Sequence, residues 1–495
     1  MSIDHVLISA SPGETRTALL THGRLVEILI SRAGGESLVG NVYLGRVASV
    51  NKGLDAAFVD IGTGRDGFLA VAEARTETRP AGKEGRDAIG DYLNEGASVL
   101  VQVTRDPIED KGAKLTTRMT LPGVNLIFRP RQAGIAISRR IDDDAARARL
   151  TDLITGLAPK FTQDLASGGG GFIVRTAAAG AETPAIEEEA ARLTARWREI
   201  EDRAATAKPP RLLLAEVSPA FGALRDGGGS GIEKIIADDA DALAGVRGFC
   251  EAEMPAQAKL VELHQGPEAL FAAYGVEEQI DAALSPTVAL PGGGSLIISQ
   301  TPALTAIDVN TGGADKGSRE RTAFQVNLEA AHEVARQIRL RNLSGLIVID
   351  FVPVRDNARK QEVVDALRQA AAAASISVFI AGTTRLGLVE MTRPRHGPTL
   401  LDILCGVTAS APTAVKSPLT LALEALRAVL RRGGGTGVTL KASPDVIEAL
   451  RAPEGPGSAA LALRQAEERL GLAIGLASDH TLAEGRYDIV AGKGD

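Results

Sequence analysis

Two stretches of the chain, Leu304-Thr-Ala-Ile-Asp-Val-Asn310 and Leu346-Ile-Val-Ile-Asp-Phe351, are apolar, β-branched runs that close on a carboxylate. Runs of this length read as buried strands, with the polar residue at the rim of a sheet. Between them lie a glycine-rich loop and one long helix predicted over 322–341, the content of a parallel crossover. Asp308 and Asp350 are therefore expected side by side.

Elsewhere the pattern predicts two or three strands in residues 1–35, with Arg24-Leu-Val-Glu-Ile-Leu-Ile30 the clearest. Residues 40–121 carry short apolar stretches divided by glycine turns, which suggests a small barrel. Residues 122–215 mix strands with one amphipathic helix over 186–207, stopped by Pro209-Pro210. Strand and helix alternate over 212–285, and the two carboxylate-bearing runs fall within 290–400. A Pro/Ala/Ser/Thr-rich stretch at 407–418 reads as a linker. Residues 419–495 read as a separate small α/β piece with helices over 421–432 and 459–472. Glycine clusters at 168–171, 227–229, 292–294 and 433–435 lack the following Lys-Ser/Thr of a nucleotide-phosphate loop, so they read as turns and loop tips.

A chain of 495 residues has room for roughly three domains. Only 3% of residues are aromatic, so the cores must be built from Ala, Val, Leu and Ile. Two cysteines, Cys250 and Cys405, do not make a disulfide framework and fit a reducing cytoplasm. Residues 1–5 lack the basic-then-apolar pattern of a signal peptide, and no run is long enough for a membrane span. A net charge of −7 argues against a general nucleic-acid coat but leaves room for a local basic path.

Paired carboxylates at a sheet edge can hold a divalent cation against phosphate oxygens. Asn310 and the small-residue loop 311–318 follow Asp308 directly, and small residues let a backbone approach closely. Arg336, Arg339 and Arg341 on the long helix, then Arg385, Arg393 and Arg395, add cations. The competing reading of Asp308 and Asp350 is a pair of strand-end caps or salt-bridge partners. In the barrel segment, Phe58 and Phe68 lie on successive strands and could offer two rings for base stacking; as ordinary barrel core they would do nothing further. Arg129, Arg131, Arg139 and Arg140 form a cluster, and the strand Gly171-Phe-Ile-Val-Arg-Thr176 ends on a guanidinium beside a hydroxyl, a pairing suited to a terminal phosphate. His332, on the long helix, reads as a solvated or structural residue.

The long motifs at 303–310, 327–331, 336–341, 345–351 and 385–391 resemble the catalytic region of the bacterial ribonuclease E/G family. The barrel segment resembles an S1 domain, and Ser138-Arg-Arg140 and Val174-Arg-Thr-Ala177 fit the same family in the same order. The resemblance implies an α/β multidomain fold. Residues 1–35 and 214–278 would form an RNase H-like subdomain, 36–121 an inserted S1 barrel of the OB type, and 122–213 a 5′-sensor. Residues 279–400 would form a DNase I-like catalytic subdomain, 401–418 a degenerate zinc link or linker, and 419–495 a small C-terminal α/β domain. It also implies Asp308 and Asp350 as Mg²⁺ ligands (Mn²⁺ as a substitute) with Asn310 as their catalytic companion. Phe58, Phe68, Lys111 and Arg385 would contact RNA, and Arg175, Thr176 and Arg139 would grip a 5′-monophosphate. The implied reaction is cytoplasmic, Mg²⁺-dependent endonuclease cleavage of single-stranded RNA, from messenger or ribosomal precursors, favouring 5′-monophosphorylated substrates.

Three departures from the family pattern stand in this sequence. The Cys-Pro-x-Cys zinc link is reduced to Leu404-Cys405-Gly406, so no structural zinc is expected, and any homo-oligomer would not be zinc-linked. Pro302 replaces an acid six positions before the first aspartate, and Asp350-Phe-Val-Pro353 ends on proline instead of an acid. Two rivals follow: a catalytically weak RNA-binding protein of the same family, and a Mg²⁺-dependent DNA nuclease, against which the S1-like segment argues.

Overall fold

Alternating apolar and polar residues at the start of the chain build an antiparallel meander of β1 (His5–Ser11), β2 (Glu14–Thr21) and β3 (Arg24–Arg32). The structure is a computed structural model. It describes residues 3–35, 37–74, 88–107, 111–166, 168–227, 231–313, 319–395, 397–406, 414–433, 437–453, 458–482 and 486–491. The chain divides into two units, Met1–Glu36 with Gly231–Gly245 and Leu260–Asp495, and Ser37–Ser230 with Val246–Lys259.

The second unit begins with β4 (Val42–Asn51), β5 (Ala56–Asp60), β6 (Gly67–Ala70), β7 (Ser98–Arg105) and β8 (Lys114–Thr116). These strands pair in the order β4-β5-β6-β8-β7, and β7 returns to β4, so a five-stranded barrel closes on itself. Val47, Val59, Leu69, Val101 and Leu115 fill its interior. A second sheet follows, of β9 (Leu121–Pro122), β10 (Leu126–Pro130), β11 (Gly134–Ile137) and β12 (Gly170–Val174). It is packed by two helices where the sequence pattern predicts one: α1 (Asp144–Thr162) and α2 (Thr183–Thr206). Pro159 inside α1 hides that helix from a pattern reading, yet Leu150, Ile154 and Leu157 form an i, i+4, i+7 stripe that buries it. Gly170 and Gly171 are strand residues, not a loop tip. A Cβ on Gly171 would lie 2.1 Å from the Gly134 carbonyl oxygen, so strand pairing requires the bare backbone. Of the other clusters, Gly227 and Gly433 end helices and Gly292–Gly294 fall in a turn, while 228–229 and 434–435 lie outside the described residues. After α2, β13 (Arg211–Leu214) joins β4 on the outside of the barrel, and α3 (Pro219–Asp226) ends this stretch.

Back in the first unit, β14 (Lys234–Ala237) and β15 (Val261–Leu263) extend the meander in parallel with β1. The catalytic candidates sit in a six-stranded sheet of β16 (Thr287–Ala289), β17 (Ser295–Gln300), β18 (Leu304–Asn310), β19 (Gly345–Asp350), β20 (Phe379–Thr383) and β21 (Val389–Arg393), ordered β16-β17-β18-β19-β21-β20. Helix α4 (Arg319–Leu340) makes the crossover between β18 and β19, and α5 (Asn357–Ala373) packs beside it. Val326, Ala330, Val334 and Ile338 of α4, with Val364 and Leu367 of α5, cover Ile298, Ile307, Val309, Ile347 and Ile349. Each fully buried Val, Leu or Ile contributes about 1.5–3 kcal/mol.

After α6 (Leu400–Cys405), the C-terminal region forms α7 (Pro418–Arg432), β22 (Val438–Ala442), α8 (Pro444–Arg451), α9 (Ala459–Leu470), β23 (Ile474–Ser478) and β24 (Tyr487–Ala491) around its own core. The stretch read as a linker already starts a helix at Pro418, capped by Ser417, while 407–413 lie outside the described residues. Nor is the C-terminal region separate. Arg427 of α7 reaches Glu14 at 3.3 Å, Arg16 reaches Glu424 at 3.2 Å, and a Cβ on Gly13 (φ +76°) would press to 2.6 Å from Ala462.

Candidate functional site

Parallel pairing of β18 and β19 sets Asp308 directly opposite Asp350. Register partners on neighbouring strands lie about 4.8 Å apart, with side chains on the same face. Both aspartates are exposed. Here the strands depart from the sequence expectation of runs buried on both sides. Thr305, Ile307 and Val309 are buried on the helix-covered face, whereas Ala306 and Asp308 face outward. The outward face is open, with Ile297 39%, Leu346 40% and Phe379 69% exposed along it.

Asn310 Nδ2 donates to Asp308 Oδ2 at 2.7 Å, which orients that carboxylate and leaves the amide oxygen without a donor among the described residues. The Asp350 side chain has no hydrogen bond or ion pair with a described residue. Two carboxylates and one amide oxygen form an all-oxygen set, and no described arginine is paired with either carboxylate. That chemistry fits a hard divalent cation that keeps most of its water, as Mg²⁺ does. Among the described residues no group of three or more His, Cys, Asp or Glu converges as a metal cage. A third acid on the same face, Glu390, is paired opposite Val348 and is exposed. Strand geometry puts it about 8 Å from Asp350, within reach through water. It falls within the 385–391 motif, but only the sheet order puts it on this face.

The cations sort themselves sharply. Arg385 and Arg395 are exposed, Arg385 in the turn joining β20 and β21. Arg393 donates to Asn342 and to the Leu343 carbonyl. Arg336 pairs with Glu333 at 2.6 Å and Arg339 with Glu27 at 2.6 Å, both beside the first meander. Arg341 is buried, and burial with neighbouring Arg336 pushes its pKa down to about 10. The three helix arginines therefore serve packing, contrary to the sequence expectation of cations around the carboxylates. His332 is exposed on α4. Pro302 lies in the turn before β18, and from Leu304 the strand runs four residues, about 13 Å, to Asp308. An acid there would not have touched a metal at the aspartates, whereas Pro353 follows β19 closely. Within the loop 311–318, residues 314–318 lie outside the described residues.

On the barrel, Phe58 and Phe68 face one another across β5 and β6, their ring centroids 5.9 Å apart at 69°. Both residues are half-buried, neither enclosed in the barrel interior. Lys114, register partner of Phe68, is exposed beside them, and Lys111 is exposed too. Lys114 was missed from sequence, because only the parallel β6–β8 contact brings it to the rings.

Arg175 and Thr176 end β12 and open a short 3-10 turn, Thr176–Gly180. The Thr176 and Ser138 hydroxyls lie 3.0 Å apart, and Ser138 leads to exposed Arg139 and Arg140. Beneath them, buried Glu189 accepts from the Asn125 and Leu126 N–H groups. Burial raises its pKa despite those donors. Arg131 instead lies half-buried over the Trp197 ring at 5.9 Å, and burial lowers its pKa. One partner of Arg175 was not foreseen: Asp226, at 3.0 Å. Nothing in the local sequence around 226 signals it.

Cys405 is buried at the end of α6, and burial raises its thiol pKa; Cys250 is buried in the other unit, its thiol pushed up to about 11. No described helix is long and apolar enough to cross a membrane.

The model of the Ribonuclease E/G family matches residues 120–396. Ribonuclease G of Haemophilus influenzae is 34% identical over 99% of this chain and 100% of its own length. Ribonuclease G of Escherichia coli K12 is 34% identical over 91% of this chain and 92% of its own. Ribonuclease E of the same strain is 38% identical over 80% of this chain and 37% of its own length. The match takes in the carboxylate-bearing strands and the Arg175–Thr176 turn, and on its length and identity this chain belongs to the ribonuclease E/G family.

Proposed function

We propose that the chain is a Mg²⁺-dependent endoribonuclease that hydrolyses single-stranded RNA in RNA processing or decay and favours 5′-monophosphorylated substrates in the cytoplasm. The observation that carries the reading is the register pairing of Asp308 with Asp350 on an open sheet face, next to Asn310. In this reading the six-stranded sheet is the DNase I-like catalytic subdomain, the closed barrel is the S1 domain, and the sheet bearing Arg175 is the 5′-sensor. The first meander with β14 and β15 is the RNase H-like part.

Asp308 and Asp350 would hold the cation, and Asn310 keeps Asp308 turned toward it. When bound, Mg²⁺ supplies Lewis acidity and a more acidic water. Arg385 offers a charge for the RNA backbone, while Phe58 and Phe68 stack bases, which requires an unpaired strand. Protomers of any oligomer would associate without zinc, since one Cys405 per chain leaves a shared tetrahedral site two thiolates short.

The test is cleavage of a 5′-monophosphorylated, A/U-rich single strand with Mg²⁺ by wild type, Asp308→Asn and Asp350→Asn. Wild type should cut, and each variant should lose on the order of 10³-fold while still binding RNA. If all three leave the RNA intact and bind it equally, the nuclease reading fails and an RNA-binding protein remains.

A further inference from the structure

Arg175 is held from one side only. Its Nη1 donates to the Gly123 carbonyl at 2.6 Å and to Asp226 Oδ1 at 3.0 Å, which uses both protons of that nitrogen. Nη2 reaches the Asp226 carbonyl at 3.4 Å, and Nε has no partner among the described residues. The Nε–Nη2 edge, a fork suited to two oxygens of one phosphate, thus keeps spare donors on a side chain that is 20% exposed.

Asp226 is itself anchored. The same Oδ1 accepts from Arg225 Nε at 3.2 Å, and Arg225 is buried with its Nη1 on Glu216 at 2.7 Å. Burial opposes the charge on Arg225, but Asp226 and Glu216 together raise its pKa, so it stays a cation. The string Arg175, Asp226, Arg225, Glu216 therefore sums to zero charge. Asp226 is more than half exposed, and its carboxylate confronts whatever anion approaches Arg175.

We propose that Asp226 is a specificity-determining residue of the 5′-phosphate pocket, which orients the Arg175 fork and limits the negative charge the pocket accepts. The inference rests on the reading of Arg175 and Thr176 as that pocket. A terminal monophosphate brings up to two charges, matched by Arg175 with Arg139 and Arg140 nearby. A 5′-triphosphate brings more, and the excess meets the Asp226 carboxylate with no added cation in the string. Selectivity for monophosphate over triphosphate then comes from repulsion as well as fit.

The experiment compares kcat/KM of the full chain with Mg²⁺ on one RNA carrying a 5′-hydroxyl, a 5′-monophosphate or a 5′-triphosphate. Ratios between substrates cancel the fraction of active enzyme. Asp226→Asn keeps an acceptor for Arg175 but removes the charge, so the mono-to-tri ratio should fall about tenfold while the mono-to-hydroxyl ratio stays within about twofold. Asp226→Ala removes the anchor too, and its mono-to-hydroxyl ratio should fall toward one. An unchanged mono-to-tri ratio in Asp226→Asn, or an unchanged mono-to-hydroxyl ratio in Asp226→Ala, overturns the role of Asp226 and leaves the pocket standing. Equal wild-type rates on all three RNAs remove the pocket, and the role of Asp226 with it.

Discussion

Acids in the first unit are placed in two opposite ways. Glu14 is fully buried among Arg16, Arg32 and Arg427, at 2.6, 2.9 and 3.3 Å. Asp308 and Asp350 are exposed on an open sheet face, and no described arginine pairs with either. Burial alone would raise the Glu14 pKa, yet the three guanidiniums together hold it below its usual 4.5. A carboxylate supplied with internal cations is finished and serves the fold. A pair without them has charge left over for something from outside. Structure thus separates acids that hold the chain together from acids available for chemistry, although both kinds look alike as letters.

That contrast can be broken by stability. Asp308→Asn should change unfolding free energy by no more than about 0.5 kcal/mol, as expected of an exposed position. Glu14→Gln should cost about 3–5 kcal/mol, because it leaves three buried or half-buried guanidiniums without their shared anion. Urea unfolding of both variants measures the difference, and similar costs would end the distinction. A smaller effect is expected at the barrel. Phe58→Ala or Phe68→Ala should weaken single-strand RNA binding by about 1–3 kcal/mol, read by titration of a labelled strand. Unchanged affinity would return both rings to the barrel core.

The smallest effect is in pH and sets Glu14 against Glu189. The folded pKa of Glu14 is depressed, so its stabilisation is present above pH 4.5 and lost as pH falls through the folded value. Glu189 has a raised folded pKa, so the fold favours its protonated form and its contribution improves as pH falls toward 4.5. Acidification from pH 6 to 4 should therefore lower hydrogen-exchange protection around β1, β2 and α7 before that around β10 and α2. The difference should be on the order of 1 kcal/mol. Simultaneous loss in both regions would contradict the assignment.

Much of the fold could be read along the chain, because period and punctuation are local. The strands around Asp308 and Asp350, the crossover helix between them and the barrel strands near Phe58 and Phe68 all follow from residue spacing. Helix α1 escaped because Pro159 interrupts it, and Gly170 escaped because a glycine needed for close strand packing looks like one needed for a turn. The open face of the six-stranded sheet could not be read either. A run of β-branched residues fits burial on one face as well as two, and only the position of α4 and α5 decides.

By itself the sequence determined which side chains with chemistry this protein owns and which local elements carry them: two aspartates at strand ends, an Arg-Thr pair after β12, two phenylalanines on adjacent barrel strands. Tertiary structure decided which of those groups have partners. Arg427 finds Glu14 from 413 positions away, and Arg175 finds Asp226 from 51. A counter-ion acts within about 4 Å in space, and separation along the chain says nothing about that distance. Whether a charge is spent on the fold or left for a substrate is settled only when the chain closes around it.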